Sequence, residues 1–167
     1  DQANVNDDSL TALNLAYKFH EQNGCGKFIV YGQSLGGVIA MRALADWDMR
    51  ENVKLIVMDS TFMSYKQAGR QALSKHWLTW IFQPLAWVLV SDEYASYKVI
   101  DKIRNPLLVI HDRLDPTVNF SNGEDLFKAY KGPKDHWDYS FGSHIGYFTI
   151  PGLEQNRKRF VEYLEQK

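Results

Sequence analysis

Four short apolar runs, at 27–31, 53–58, 106–110 and 137–141, alternate along the chain with stretches in which apolar residues recur at helical spacing. A strand buried on both faces reads as a continuous apolar run, and a helix between two such runs lays the next strand parallel to the last. The pattern predicts an α/β fold: a mostly parallel sheet of about four strands with flanking helices. The first helix is read from Asp7 or Asp8 as cap, through Leu10, Leu13 and Tyr17 on one face, to a stop at Asn23-Gly24. A second runs from 35 to about 48 with Val38, Met41 and Ala45 inward. Ser121-Asn122-Gly123-Glu124 has the spacing of a capping box and predicts a helix through Tyr130. Pro151 suits the first turn of a last helix, striped by Leu153, Phe160, Val161 and Leu164.

The segment 61–98 interrupts the alternation. Its length and its aromatics, Trp77, Trp80, Phe82 and Trp87, predict a cap-like helical insertion over one end of the sheet, within a single domain spanning 1–167. A chain of 167 residues that is 45% hydrophobic and 14% aromatic can fill one packed core. The formal net charge of -1, with no long single-sign run, argues against nucleic-acid binding. Cys25 is the single cysteine and makes no internal disulfide; between glycines and ahead of an apolar run, it reads as an inert buried thiol. The polar start, Asp1 to Asp8, carries no basic and no apolar signal-peptide region. The most apolar stretch, 78–90, contains Gln83 and Pro84 and is shorter than the roughly 20 residues a membrane span needs. A cytoplasmic location is favoured.

Gly32-Gln33-Ser34-Leu35-Gly36 fits G-x-S-x-G and lies between a predicted strand and a predicted helix, the context that gives the pattern its meaning. A serine on so sharp a turn is held strained, its hydroxyl pushed outward, while the Leu35 N–H at the start of the helix is free to meet a developing oxyanion. A hydroxyl is a poor nucleophile until a base takes its proton, so a histidine oriented by an acid is required. His20 and His76 lie in helical patterns, His136 opens a strand, and His111 ends one beside Asp112. His144, in the loop Gly142-Ser143-His144-Ile145-Gly146 after the last strand, falls at the same carboxyl edge of the sheet as Ser34. Asp112, Asp115 and Asp59 all follow strands. Asp115 leads because Pro116 behind it stiffens the turn; Asp112 reads as a turn former, and Asp59 is the main rival.

The runs Val30 to Gly37, Asp59-Ser60-Thr61-Phe62, Asn105 to His111, Asp115-Pro116-Thr117-Val118 and Gly142-Ser143-His144 together resemble the α/β-hydrolase superfamily, most of all its serine aminopeptidase-like and lysophospholipase-like esterase branch. The resemblance covers nearly the whole chain. It implies a carboxylic ester, thioester or amide cleaved through an acyl-enzyme on Ser34, with His144 as base, Asp115 as orienting acid and no metal or organic cofactor. Gln33, Phe62, Trp77 and Trp80 are candidate substrate contacts, although packing of the insertion onto the body is the stronger account of its tryptophans. Asp112 stands where the family usually carries Gly.

In those relatives several strands, and a loop that supplies a second oxyanion amide, precede the nucleophile strand. Only a helix fits before Lys27, so the resemblance implies a chain lacking the first half of the sheet, weakly active and prone to self-association or strand exchange through the open edge of its nucleophile strand. A small-molecule acyl substrate is the expected ligand. The competing reading is a binding module that keeps the fold without catalysis.

Overall fold

The computed structural model describes residues 1–74, 78, 80–150 and 154–166. Four parallel strands, β1 (Ile29–Gln33), β2 (Leu55–Asp59), β3 (Leu107–Asp112) and β4 (Lys134–Tyr139), form one sheet in the order β1-β2-β3-β4. The register runs straight across it, pairing Gly32 with Met58, Met58 with Val109, and Val109 with His136. Because successive residues of a strand face opposite sides, the central strands divide their side chains between two cores. Ile56, Met58, Leu107 and Val109 pack beneath α1 (Gln2–Gln22), α2 (Leu35–Asp46) and α5 (Phe120–Ala129), which contribute Leu10, Leu13, Tyr17, Met41, Leu44 and Leu126. Leu55, Val57, Leu108 and Ile110 face the other way, onto Trp137, Tyr147 and, from α6 (Glu154–Gln166), Phe160, Tyr163 and Leu164. Full burial of each such side chain contributes about 1.5–3 kcal/mol. The result is a sheet between two helical layers.

Several local expectations shift. The first helix begins at Gln2 because Asp1 caps it, its carboxylate accepting from the Asn4 N–H at 3.0 Å. The first three strands start and end one or two residues later than their apolar runs, since polar Gln33, Asp59 and Asp112 complete the ladders, whereas β4 starts three residues earlier than its run and ends two earlier, at Lys134 and Tyr139. Ser121 lies inside α5, not at its cap; Asn119 is the cap, and no side-chain capping bond forms. Cys25 is exposed, in the turn after the left-handed Gly24. Val161 is exposed as well, because the inward stripe of α6 passes through Phe160, Tyr163 and Leu164. Pro151 and Leu153 lie outside the described residues.

The 61–98 segment holds α3 (Tyr65–Ser74), α4 (Gln83–Leu89) and 3-10 turns at Trp80–Phe82 and Ser96–Lys98. Among the described residues no helix is long and apolar enough to cross a membrane.

Among the described residues, strand β1 has one neighbouring strand, β2. Phe28 C=O accepts from Lys54 N–H and Ser34 N–H donates to Asp59 C=O, so the even positions of this stretch bond to β2. In a parallel ladder the alternate residues bond to the other side, which turns the main-chain groups of Ile29, Tyr31 and Gln33 to an edge without a strand.

Candidate active site

Between β1 and α2 there is one residue, Ser34, and it turns the chain at φ 49° and ψ -124°. A side-chain-bearing residue enters this left-handed region only where its surroundings hold it there. Here the Ser34 N–H donates to Asp59 C=O at 2.9 Å, and the Ser34 C=O accepts from Thr61 Oγ1 at 2.7 Å and from the Gly37 N–H at 3.1 Å. The bend is so tight that a Cβ on Gly32 would stand 2.7 Å from Gly37 Cα, and one on Gly37 would collide with the Thr61 side chain. Glycine at both positions is thus a packing requirement. Leu35 is the first residue of α2, and its amide has no acceptor within the helix.

Strand β3 delivers two carboxylates with different work. Asp112, its last residue, accepts from the Leu114 N–H at 2.8 Å, the Ser143 N–H at 2.8 Å, the Phe141 N–H at 3.1 Å and the Ser143 hydroxyl at 3.2 Å. Burial alone would raise its pKa, but these donors together hold it below the ordinary carboxylate value. Asp112 therefore ties the loop after β3 to the loop that carries His144.

Three residues on, Asp115 accepts from the Thr117 and Val118 amides through Oδ1, at 2.7 and 2.9 Å. Its Oδ2 lies 2.8 Å from His144 Nδ1, with the carboxylate fully buried and the imidazole one-fifth exposed. Facing a carboxylate, Nδ1 carries the ring proton of neutral His144, which leaves the lone pair on Nε2.

His111 is fully buried beside the same acid. Its Nε2 is 3.1 Å from Val118 C=O and 3.6 Å from Asp115 Oδ2, so that nitrogen holds the proton. Burial lowers the pKa of His111 and keeps it neutral. His136 lies on β4, stacked between Phe120 and Phe127.

Asp59 has other partners: Tyr31 OH donates to it at 2.6 Å, Ser60 Oγ at 3.0 Å and Gln33 Nε2 at 3.4 Å. Burial and this carboxylate together push the Tyr31 hydroxyl pKa far up. Ser60, at φ 52°, also accepts from the Ile145 N–H at 3.4 Å. Asp59 C=O thus holds the Ser34 turn while the next residue holds the His144 loop, so both hang from the carboxyl end of β2. Neither this double attachment nor the Thr61 clamp has a sequence signal beyond the run Asp59-Ser60-Thr61-Phe62.

Of the expected substrate contacts, Gln33 bonds to Tyr31 and Asp59, and Phe62 is buried with Val38 and Val118, edge-on to Tyr65. Burial removes Phe62 from any surface a substrate reaches. Trp80 opens a 3-10 turn, and Trp77 lies outside the described residues. Among the described residues no group of three or more His, Cys, Asp or Glu side chains could hold a metal ion.

No protein-family model matches the chain. Among curated proteins it is 26% identical over 164 residues to the uncharacterized protein YfhR of Escherichia coli K12, covering 98% of this chain and 54% of that one. It is 25% identical over 155 residues to the uncharacterized protein YqkD of Bacillus subtilis, covering 87% and 50%. A shorter match, 26% over 102 residues, is to the α/β hydrolase domain-containing protein aho-3 of Caenorhabditis elegans, covering 61% and 26%. The chain spans about half the length of the first two relatives.

Solved structures of similar fold include the Pyrococcus furiosus esterase Pf2001, with TM-score 0.67 and 19% identity over 97% of this chain and 63% of that one. The Pyrococcus horikoshii acylaminoacyl peptidase follows, with 0.68 and 15% over 93% and 27%, and the Paleococcus ferrophilus monoacylglycerol lipase, with 0.59 and 17% over 92% and 73%. The fold is that of the α/β-hydrolases, represented here by four parallel strands with their flanking helices.

Proposed function

We propose that the chain carries the nucleophile, base and acid of a serine hydrolase that cleaves a carboxylic ester, thioester or amide. The observation that bears most of the weight is the 2.8 Å contact between His144 Nδ1 and Asp115 Oδ2, at the sheet edge where Ser34 occupies its strained turn. The names of the structural neighbours, an esterase, a peptidase and a lipase, support hydrolysis as the reaction class.

In this reading His144 Nε2 takes the Ser34 proton as Oγ bonds to the substrate carbonyl carbon, and the carbonyl oxygen gathers negative charge near the Leu35 N–H. The bond to the leaving group then breaks, and His144 delivers the proton to it. Water, deprotonated by the same nitrogen, attacks the acyl-serine and restores the free hydroxyl. Asp115 stabilises the imidazolium, while the Thr117 and Val118 amides hold its carboxylate in place.

The test is labelling by a fluorophosphonate, which reacts with an activated serine, followed by peptide mapping. We expect modification at Ser34, and its loss in His144→Ala. An unlabelled chain, or one labelled equally in that variant, would refute the reading and leave the fold as a binding module.

A second proposal rests on the open edge of β1: it pairs with another strand, and in this chain alone the partner is a second copy.

A further inference from the structure

A cavity of about 390 Å³ opens beside the first turn of α2, within the range of volumes typical of small-molecule sites. Leu35, Ile39, Val5, Tyr65 and Tyr94 form most of its wall. It begins one residue from Ser34, with the very residue whose amide faces the carbonyl oxygen in the proposed mechanism.

Its polar lining, Asp1, Gln2, Asn6 and Arg42, is largely engaged: the Asp1 carboxylate accepts from the Asn4 N–H at 3.0 Å and Gln2 Nε2 donates to Ser91 C=O at 3.2 Å. The Arg42 guanidinium pairs with Asp46 at 2.8 Å and lies 5.0 Å from the centre of the Tyr94 ring, and Asn6 Nδ2 donates to Asp46 at 3.3 Å. The remaining polar atoms, Arg42 Nε and Asn6 Oδ1, are shut off from any contact surface. The cavity therefore offers a mostly apolar wall, with its charge confined to Asp1 and the paired Arg42, which suits a hydrocarbon chain.

Which end of the substrate enters follows from the sheet. Protonation of the leaving group needs His144, which comes from the loop after β4, at the far end of the strand order from β1. No described residue of that loop lines the cavity, whose walls come from Asp1, α1, α2, α3 and Tyr94. The leaving group belongs on the His144 side, and the acyl group on the other.

We infer that this cavity, bounded by Leu35, Ile39, Val5, Tyr65 and Tyr94, is the acyl pocket of the proposed hydrolase and takes an unbranched, uncharged acyl chain. The inference rests on the serine-hydrolase reading of Ser34.

The experiment measures kcat/KM of the chain on p-nitrophenyl acetate, butyrate, hexanoate and octanoate, beside Val5→Trp and Ile39→Trp, each of which fills the cavity. Val5 is on the exposed side of α1, so its variant is expected to fold even where Ile39→Trp does not. The expected wild-type result is a rise of about fourfold per added methylene until the cavity is full, the fold-change that corresponds to about 0.8 kcal/mol per buried CH2. Val5→Trp is expected to flatten that rise, because the longer chains lose their wall. A flat wild-type series, or a rise that Val5→Trp leaves intact, overturns the pocket. So does chain-length dependence that appears only when the alcohol part of the ester is varied. Labelling of Ser34 by a small fluorophosphonate in every variant separates the outcomes: if Ser34 is labelled and the series is flat, the pocket is wrong and the serine reading stands.

Discussion

Asp112 concentrates four hydrogen bonds on one buried carboxylate, all from the two loops that also carry Asp115 and His144. Its pKa is lower in the fold than in the unfolded chain, so its contribution to stability is complete above the unfolded value and is lost as pH falls through the folded one. Asp112→Asn is expected to cost about 2 kcal/mol at neutral pH, where bonds to a charged acceptor matter. That difference should shrink in urea melts taken towards about pH 3. Parallel stability curves for the two proteins would contradict this. At this scale the sequence was a partial guide. Ser34 was legible because a strand, one serine between spaced glycines and a helix have a single stereochemical outcome, and His144 because only one histidine follows the last strand. The Thr61 clamp and the Ser60 tie were not, since each is a contact between residues brought together only by the parallel register.

At the scale of elements, β1 is the anomaly. The main-chain groups of Ile29, Tyr31 and Gln33 face outward, whereas those of Val30 and Gly32 are bonded to β2. Amide hydrogen exchange in dilute protein is expected to be faster at 29, 31 and 33 than at 30 and 32; equal protection along the strand would mean that this edge is covered. Element types were readable from period, because a central strand buried on both faces leaves an uninterrupted apolar run. Boundaries were not. Polar residues at the carboxyl ends of β1, β2 and β3 are where the site is built, so hydrophobicity stops before the ladder does. The capping box at Ser121 failed for a related reason. Asp115 binds the Thr117 and Val118 amides and draws the chain into α5 before Ser121 is reached.

For the whole molecule, the apolar groove beside that edge, lined by Leu13, Ala16, Phe28, Val30, Ile39 and Ala43 among others, makes pairing energetically attractive. Light scattering is expected to give a mass that rises with concentration, with protection at 29, 31 and 33 rising in step. A constant monomer mass across the accessible range would dismiss the self-pairing proposal. The architecture was legible because four runs separated by helical stretches have few parallel solutions; the extent of the insertion was less so, since its tryptophans carry no period.

The lone ladder beneath Ser34 has a mechanical meaning. The hydroxyl proposed to react is carried at the end of a strand braced on one flank, while Asp115 follows the interior strand β3 and the His144 loop is tied to β2 and β3 through Ser60 and Asp112. Misalignment of about 1 Å can cost about a hundredfold in rate. The most exacting tolerance of the proposed mechanism is thus entrusted to an edge strand, and whatever shores up that flank is expected to govern turnover without touching the chemistry.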